Sequence, residues 1–309
     1  MLCLSALGIS AQQPVSPNGK LSVANTGKGI QICYQNNKAL DIPVLGYEGI
    51  KNGKLKWKFA GMVKADYKMI AGKKSTCTNQ ANEYKTALGS NLQLVLRLYN
   101  DGVAFRYELS GLKGKLPKEL TAYQIPEGTK RWMMQWTDGA ENFYPLTTTH
   151  KVQAQRSFSA VSKDADGNCV RWSFPALLEL KDGVFALLSE ANIEKGQSAS
   201  SMYNDGELYR VVPDEGENKA HSPWRVVIIG SLGDVVESTL VTDVSEPCKL
   251  EDISWIKPGV VSWVYWAYNH GSDDYNIIKK YSDLAATLRL PYVLIDAEWD
   301  RMKDGKTVE

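Results

Sequence analysis

Two acidic side chains near the end of the chain are the first candidates for chemistry. Asp296 and Glu298 stand in YVLIDAEWD, directly after an apolar run. Alternate residues of a strand share a face, so Leu294, Asp296 and Glu298 would point one way. Paired carboxyl groups can act as acid and base, or offer oxygens to a cation. An Asp that ends a strand also caps the following loop, and both readings stand for Asp296. For Glu298 the ordinary strand-end role is preferred. His270, in a loop upstream, and Trp299, after the second run, are candidates for the same rim. A lone loop His usually serves as polar surface. A rim Trp can stack on a sugar ring, while Trp263, Trp266 and Trp299 can each equally be packing residues. Glu190, in VFALLSEAN, reads on its own as a solvated strand-end carboxylate.

The familiar catalytic signatures are missing. There is no H-E-x-x-H, no G-x-S-x-G, no phosphate-binding loop and no G-x-G-x-x-G. With only 3 His, a His-rich zinc site or a Ser-His-Asp triad is excluded as a leading reading.

The elements that must position these residues change character along the chain. Val260–Trp266 is a short apolar run leading into a loop. Asp274–Leu290 then places Ile277, Ile278, Tyr281, Leu284, Ala285 and Leu288 on one helical face. Ser272 or Asp273 can cap its start, and Pro291 stops it before a second apolar run, Tyr292–Ile295. Strand, helix, strand is the unit of parallel α/β folds, whose functional groups gather at the C-terminal ends of the strands. One such unit cannot close a barrel, so the rest of the barrel is expected beyond Glu309.

Upstream, residues 21–248 read as short strands broken by turns. Leu92, Leu94, Leu96 and Leu98 line one face of a strand. Asn100-Asp101-Gly102 turns the chain, and Val103, Phe105, Tyr107 and Leu109 line the return. Ala176–Leu180 and Val184–Ser189 repeat the device around Lys181-Asp182-Gly183, and Asp205-Gly206 makes a third turn. Trp224–Ile229 and Ser238–Val241 add strand-like runs. Many strands at this spacing predict a large β-sandwich. The organisation is therefore 1–11 leader, 12–250 sandwich, 251–258 linker and 259–309 the start of an α/β barrel.

Composition narrows the function class. The 309 residues are 43% hydrophobic and 23% charged, with a formal net charge of +1. That balance gives no electrostatic case for nucleic acid or an acidic membrane surface. No segment after the leader is long and apolar enough to span a membrane. Met1–Ala11, MLCLSALGISA, resembles the back half of a secretory signal, and QQPVSPNGK suits a mature N-terminus. Cys33, Cys77, Cys169 and Cys248 match no metal spacing, and export would permit pairing without requiring it.

LRLYNDGVAFRYEL, ENFYP, FALLSEANI, SPWRVVIIG and SWIKPGVVSWVYW running on to YVLIDAEWD occur in this order over most of the chain. Together they resemble glycoside hydrolase family 97. The resemblance implies a mainly β fold: an N-terminal β-super-sandwich followed by a catalytic (β/α)8 barrel, of which this chain holds the first strand–helix–strand. It also implies an exported, periplasmic or outer-surface bacterial enzyme that cleaves terminal α-glucosides or α-galactosides of oligosaccharides. It implies a calcium ion held by glutamates, one of them from the sandwich at the position of Glu190. The catalytic carboxylates are expected on later barrel strands, so neither Asp296 nor Glu298 is assigned as acid, base or nucleophile. Asp296, Trp299 and His270 are expected at most at the substrate rim. Ala297-Glu298 departs from the Gly-Trp-like ending expected after Asp296. The alternative is a carbohydrate-binding sandwich without catalysis.

Overall fold

The computed structural model describes residues 13–300, apart from 52, 112–116, 140, 156–160, 214–219, 268–270 and 298. The leader therefore lies outside the described residues. The described chain is built from β1 (Leu21–Thr26), β2 (Gly29–Tyr34), β3 (Asn37–Val44), β4 (Lys58–Lys68), β5 (Thr76–Ala87), β6 (Leu92–Tyr99), β7 (Gly102–Leu109), β8 (Ala122–Gln124), β9 (Lys130–Gln135), β10 (Leu146–Thr147), β11 (Arg171–Glu179), β12 (Phe185–Ala191), β13 (Ser200–Asp205), β14 (Leu208–Pro213) and β15 (Trp224–Gly230). Helices α1 (Leu232–Glu237) and α2 (Leu240–Asp243) follow. Then come β16 (Val261–Trp263), α3 (Val264–Ala267), α4 (Tyr275–Leu288) and β17 (Tyr292–Leu294). Two compact units divide between Cys248 and Lys249, with Met69–Ser75 grouped with the second.

In the first unit the strands hydrogen-bond along one path, β1-β2-β3-β8-β14-β13-β11-β12-β15-β7-β6-β5-β4, with β9 and β10 joined through β11. The path folds over on itself. Ile30, Ile32, Tyr123, Met202 and Tyr209 from its first half meet Leu94, Leu96, Phe105 and Val227 from its second in one buried cluster. That is a sandwich built from a continuous antiparallel ladder, with polar and apolar residues alternating as period-2 geometry requires.

The three hairpins form where turn chemistry places them. Leu98 pairs with Val103 across Asn100-Asp101, and Leu92 with Leu109 at the far end. Leu177 pairs with Leu187 across a 3-10 turn at Lys181–Gly183. Asp205 pairs with Leu208.

The expected strand at Ser238–Val241 is instead the junction of two short helices. Ser231 and Asp234 make a reciprocal capping box, each side chain accepting the other's backbone N–H, and this starts α1. Val235, Leu240 and Val244 then cover Ala81, Val95, Tyr99, Ala104, Trp224, Val226 and Ile228 on the outer face of the sheet. Asp243 anchors α2 by accepting hydrogen bonds from Tyr67 Oη and Asn79 Nδ2, each at 2.7 Å.

Gly102 permits this layering. A Cβ there would lie 2.5 Å from the Val227 carbonyl oxygen and 2.6 Å from Leu240 Cδ2. Hence the β7–β15 ladder and α2 can both close only over a residue without a side chain.

The second unit has the expected connectivity. β16 and β17 pair in parallel, Val261 with Tyr292 and Trp263 with Leu294, and α4 connects them. The first strand is shorter than predicted, because Val264–Ala267 turns helical and takes Trp266 with it. The N-cap is Asp274, not Ser272 or Asp273: its Oδ1 accepts the Asn276 N–H at 2.8 Å. Arg289, at φ 56°, ends the helix in the left-handed region before Pro291. Of the apolar face of α4 only Ala285 is buried, while Leu284 and Leu288 are 45% and 58% exposed.

Two outcomes follow from the packing. Gly102→Ala is expected to lower stability by about 1–3 kcal/mol, seen as a lower urea midpoint at unchanged m-value. An unshifted midpoint would remove the close-approach argument. In hydrogen exchange of the 309-residue chain, amides of 261–263 and 292–294 are expected to exchange faster than those of β6, β7 and β15. Equal protection would show that the second unit is as well buttressed as the sandwich.

Candidate functional site

Glu190 and Arg225 face each other across the β12–β15 ladder. On β12, Ala186 and Leu188 point into the main core, and Glu190 continues that row. On β15, Val227 and Ile229 do the same, and Arg225 begins the row. Strand alternation therefore drives a charged pair into the sandwich interior. Arg225 is 0% exposed and the Glu190 side chain 8%.

Arg225 and both carboxyl groups are hydrogen-bonded. Arg225 Nη1 donates to Glu190 Oε2 at 2.7 Å and to Ser200 Oγ at 3.0 Å. Its Nε and Nη2 donate to the two oxygens of Glu119, at 3.1 and 2.6 Å. The Ser200 backbone N–H donates to Glu190 Oε1 at 2.7 Å. Glu119 precedes β8 and forms a bridge with Tyr47. Arg225 thus ties β15 and β12 to the layer that carries β8, and to the start of β13. Removing one partner of such a buried pair costs about 3–5 kcal/mol, because the other charge is left uncompensated.

Burial by itself would favour a neutral Arg225. The Glu119 carboxylate, and after it Glu190, reverse this and hold the guanidinium well above its ordinary range. Around the group stand Tyr47, Tyr107 and Tyr123, whose phenols burial pushes up, so that they remain neutral. Tyr123 Oη is buried without a hydrogen-bond partner. One guanidinium faces two carboxyl groups, which leaves one carboxyl group in excess in a nearly dry site. Each Glu190 oxygen accepts one hydrogen bond and retains acceptor capacity.

The carboxyl pair expected in the second unit is not assembled as a strand face. β17 ends at Leu294, and Asp296 sits at φ 75°, a left-handed conformation that Asp tolerates. Alternation is lost before Asp296. Its Oδ2 accepts the Trp263 indole N–H at 2.8 Å, and its Oδ1 the Ala297 N–H at 2.7 Å. Trp299 is 63% exposed. His270 and Glu298 lie outside the described residues. Among the described residues no group of three or more His, Cys, Asp or Glu gathers as a metal cage. The four described cysteines are free.

The partners of Glu190 escaped the sequence reading. A signal existed for one: Arg225 interrupts the core-facing row of WRVVIIG, so its charge had to be matched by something buried. Glu119 gave no such signal, since it lies in a loop 106 positions away.

Comparison with known proteins fits this architecture. The family model of the glycosyl-hydrolase 97 N-terminal domain matches residues 15–247. A probable retaining alpha-galactosidase of Streptomyces bingchenggensis is 30% identical over 223 residues, covering 68% of this chain and 32% of that protein. A retaining alpha-galactosidase of Bacteroides thetaiotaomicron is 25% identical over 268 residues, covering 73% of this chain and 39% of that protein. The chain thus spans about a third of the length of these curated relatives. A solved glycoside hydrolase family 97 enzyme from Pseudoalteromonas sp. strain K8, in complex with acarbose, superposes with a TM-score of 0.70 at 21% identity, over 93% of this chain and 48% of that one. With the folded-over sandwich and the parallel strand–helix–strand in place, the match over 15–247 settles the family: the chain belongs to glycoside hydrolase family 97, and its first unit is that family's N-terminal domain.

Proposed function

We propose that this chain is the N-terminal portion of an exported, calcium-dependent glycosidase that cleaves terminal α-galactosides or α-glucosides. The sandwich would complete the active site by presenting Glu190. The observation that carries the reading is the excess carboxyl group at Glu190, held by Arg225 and Ser200 with acceptor capacity to spare. Oxygen ligands suit a hard cation, so the residue fits calcium. Galactosides are favoured by the names of the two curated relatives, and an α-glucoside-like ligand by the acarbose complex.

When bound, calcium supplies Lewis-acid polarisation of oxygen. The chain's own residues have simpler tasks. Ser200 and Arg225 fix the Glu190 carboxylate in orientation. Asp296 holds the Trp263 indole, and Trp299 offers an exposed ring against which a sugar can stack. The catalytic carboxyl pair of the retaining or inverting mechanism belongs, on this reading, to barrel strands other than β16 and β17.

Accordingly, the 309-residue chain is expected to hydrolyse neither aryl α-galactosides nor aryl α-glucosides. Measurable turnover would sink this division of labour. Calorimetry is expected to show calcium binding no tighter than millimolar, because one carboxylate cannot supply about 6–8 oxygens. Micromolar calcium binding would overturn the half-site, and micromolar galactoside binding without turnover would favour a carbohydrate-binding module. Export rests on Met1–Ala11; mass analysis of the secreted protein is expected to show an N-terminus just after Ala11, and a retained leader would count against it.

A further inference from the structure

The face of the sheet turned away from Glu190 carries a row of polar side chains with no task in the glycosidase reading. Gln93 stands two positions before Val95 on β6, and Glu108 four positions after Ala104 on β7. Val95 and Ala104 belong to the outer-face cluster, so Gln93 and Glu108 share that face. Gln93 pairs with Glu108, and Glu108 with His221 in the stretch before β15. Amide, carboxylate and imidazole therefore lie side by side on neighbouring backbones about 4.8 Å apart. Ser90 and Asn91 from the β5–β6 turn and Ser110, just past the end of β7, complete the polar lining of an open cavity of about 440 Å³.

The frame of this cavity is fixed by the fold. Ser110 N–H donates to the Asn91 carbonyl at 3.0 Å, and Leu109 N–H to that of Ala220 at 2.6 Å. Glu108 Oε1 accepts from Arg106 Nη2 at 2.9 Å, and that guanidinium lies 4.7 Å from the Trp224 ring centroid. His221 Nδ1 lies 3.2 Å from the Ser222 carbonyl oxygen. The second Glu108 oxygen and the side chains of Ser90, Asn91, Gln93 and Ser110 have no hydrogen-bond partner among the described residues.

These groups select a ligand class. Arg106 meets the Glu108 charge, so the cavity offers an anion no free guanidinium. One carboxylate cannot cage a metal ion. An apolar molecule would displace water from amide, hydroxyl and carboxylate without replacing its hydrogen bonds. A neutral molecule dense in hydroxyl groups fits, since each hydroxyl both donates and accepts. We propose that this cavity is a saccharide-binding site, in which Gln93, Asn91 and the free Glu108 oxygen hydrogen-bond the hydroxyls of a hexopyranoside. It stands independently of the calcium reading of Glu190. Among the described residues no Trp, Tyr or Phe lines it, so the sugar is held by its edge without stacking, and the expected affinity is millimolar.

The test titrates the 309-residue chain with methyl α-galactopyranoside and methyl α-glucopyranoside, followed by proton–nitrogen NMR. The Gln93 side-chain amide is assigned as the signal missing from Gln93→Met, a change that keeps side-chain length and removes the hydrogen bonds. In the parent that signal is expected to move, saturably and in the millimolar range, with at least one sugar. Acetate and methylammonium at the same concentration are expected to leave it in place. Saturation transfer to the sugar is expected to show Gln93→Met binding about threefold to tenfold more weakly, the loss of one or two hydrogen bonds. Glu190→Gln is expected to bind as the parent does. An unmoved Gln93 signal, or parental affinity in Gln93→Met, overturns the site. So does sugar binding lost in Trp299→Ala and kept in Gln93→Met, which would put the sugar at the end of β17 and leave the glycosidase reading intact. A response to acetate or methylammonium in place of sugar overturns the ligand class. Should Gln93→Met not melt as the parent does, Asn91→Ala carries the same test, with the same loss of affinity expected and parental affinity overturning the site.

Discussion

A fully buried guanidinium is the constraint on which the sandwich depends. Arg225 occupies a position that strand alternation assigns to the core, at the start of a row that Val227 and Ile229 continue. Left alone, its charge would be intolerable there. The fold answers with carboxylates from two directions, Glu190 from the neighbouring strand and Glu119 from the opposite layer. The register of β12 against β15, the path of the chain into β8 and the start of β13 must therefore all be right together. Apolar contacts tolerate small shifts. A forked hydrogen bond at 2.6 and 3.1 Å does not, so this one group fixes how the two layers meet.

That dependence explains what could and could not be read from the residues. The hairpins were legible because period-2 alternation and Asp-Gly turns are local signals, and Leu92–Leu109 shows both. The parallel strand–helix–strand was legible for the same reason: Pro291 and the apolar spacing of α4 are local. Ser238–Val241 misled because its apolar residues are close enough to pass for a strand, whereas Ser231 and Asp234, several residues upstream, had already committed the chain to helix. Glu190 was singled out through the family resemblance and not through its own chemistry. Its meaning depends on Glu119, and a pairing between a loop and a strand 106 positions apart leaves no local trace.

Asp296 shows the opposite failure. Its neighbours suggested a strand face shared with Glu298, which requires extended backbone through residue 298. A left-handed residue at 296 breaks that periodicity, and the side chain closes onto Ala297 N–H and the Trp263 indole. A carboxylate with both oxygens so engaged is a structural clasp for the end of β17. It can still stand near a sugar, but a proton transfer through it would first have to release Trp263 or the turn.

The two carboxylates are thus held in different ways, and the difference bears on function. Asp296 is held by neutral donors from its own unit. Glu190 is held by a charged donor inside a core, with an excess carboxyl group beside it. Orientation by neutral N–H groups suits a residue that shapes a surface. Orientation by a buried guanidinium shared with a second carboxylate suits a residue that must keep its direction inside a core. Glu119 and Glu190 both pair with Arg225 where the ends of β12 and β15 meet the core.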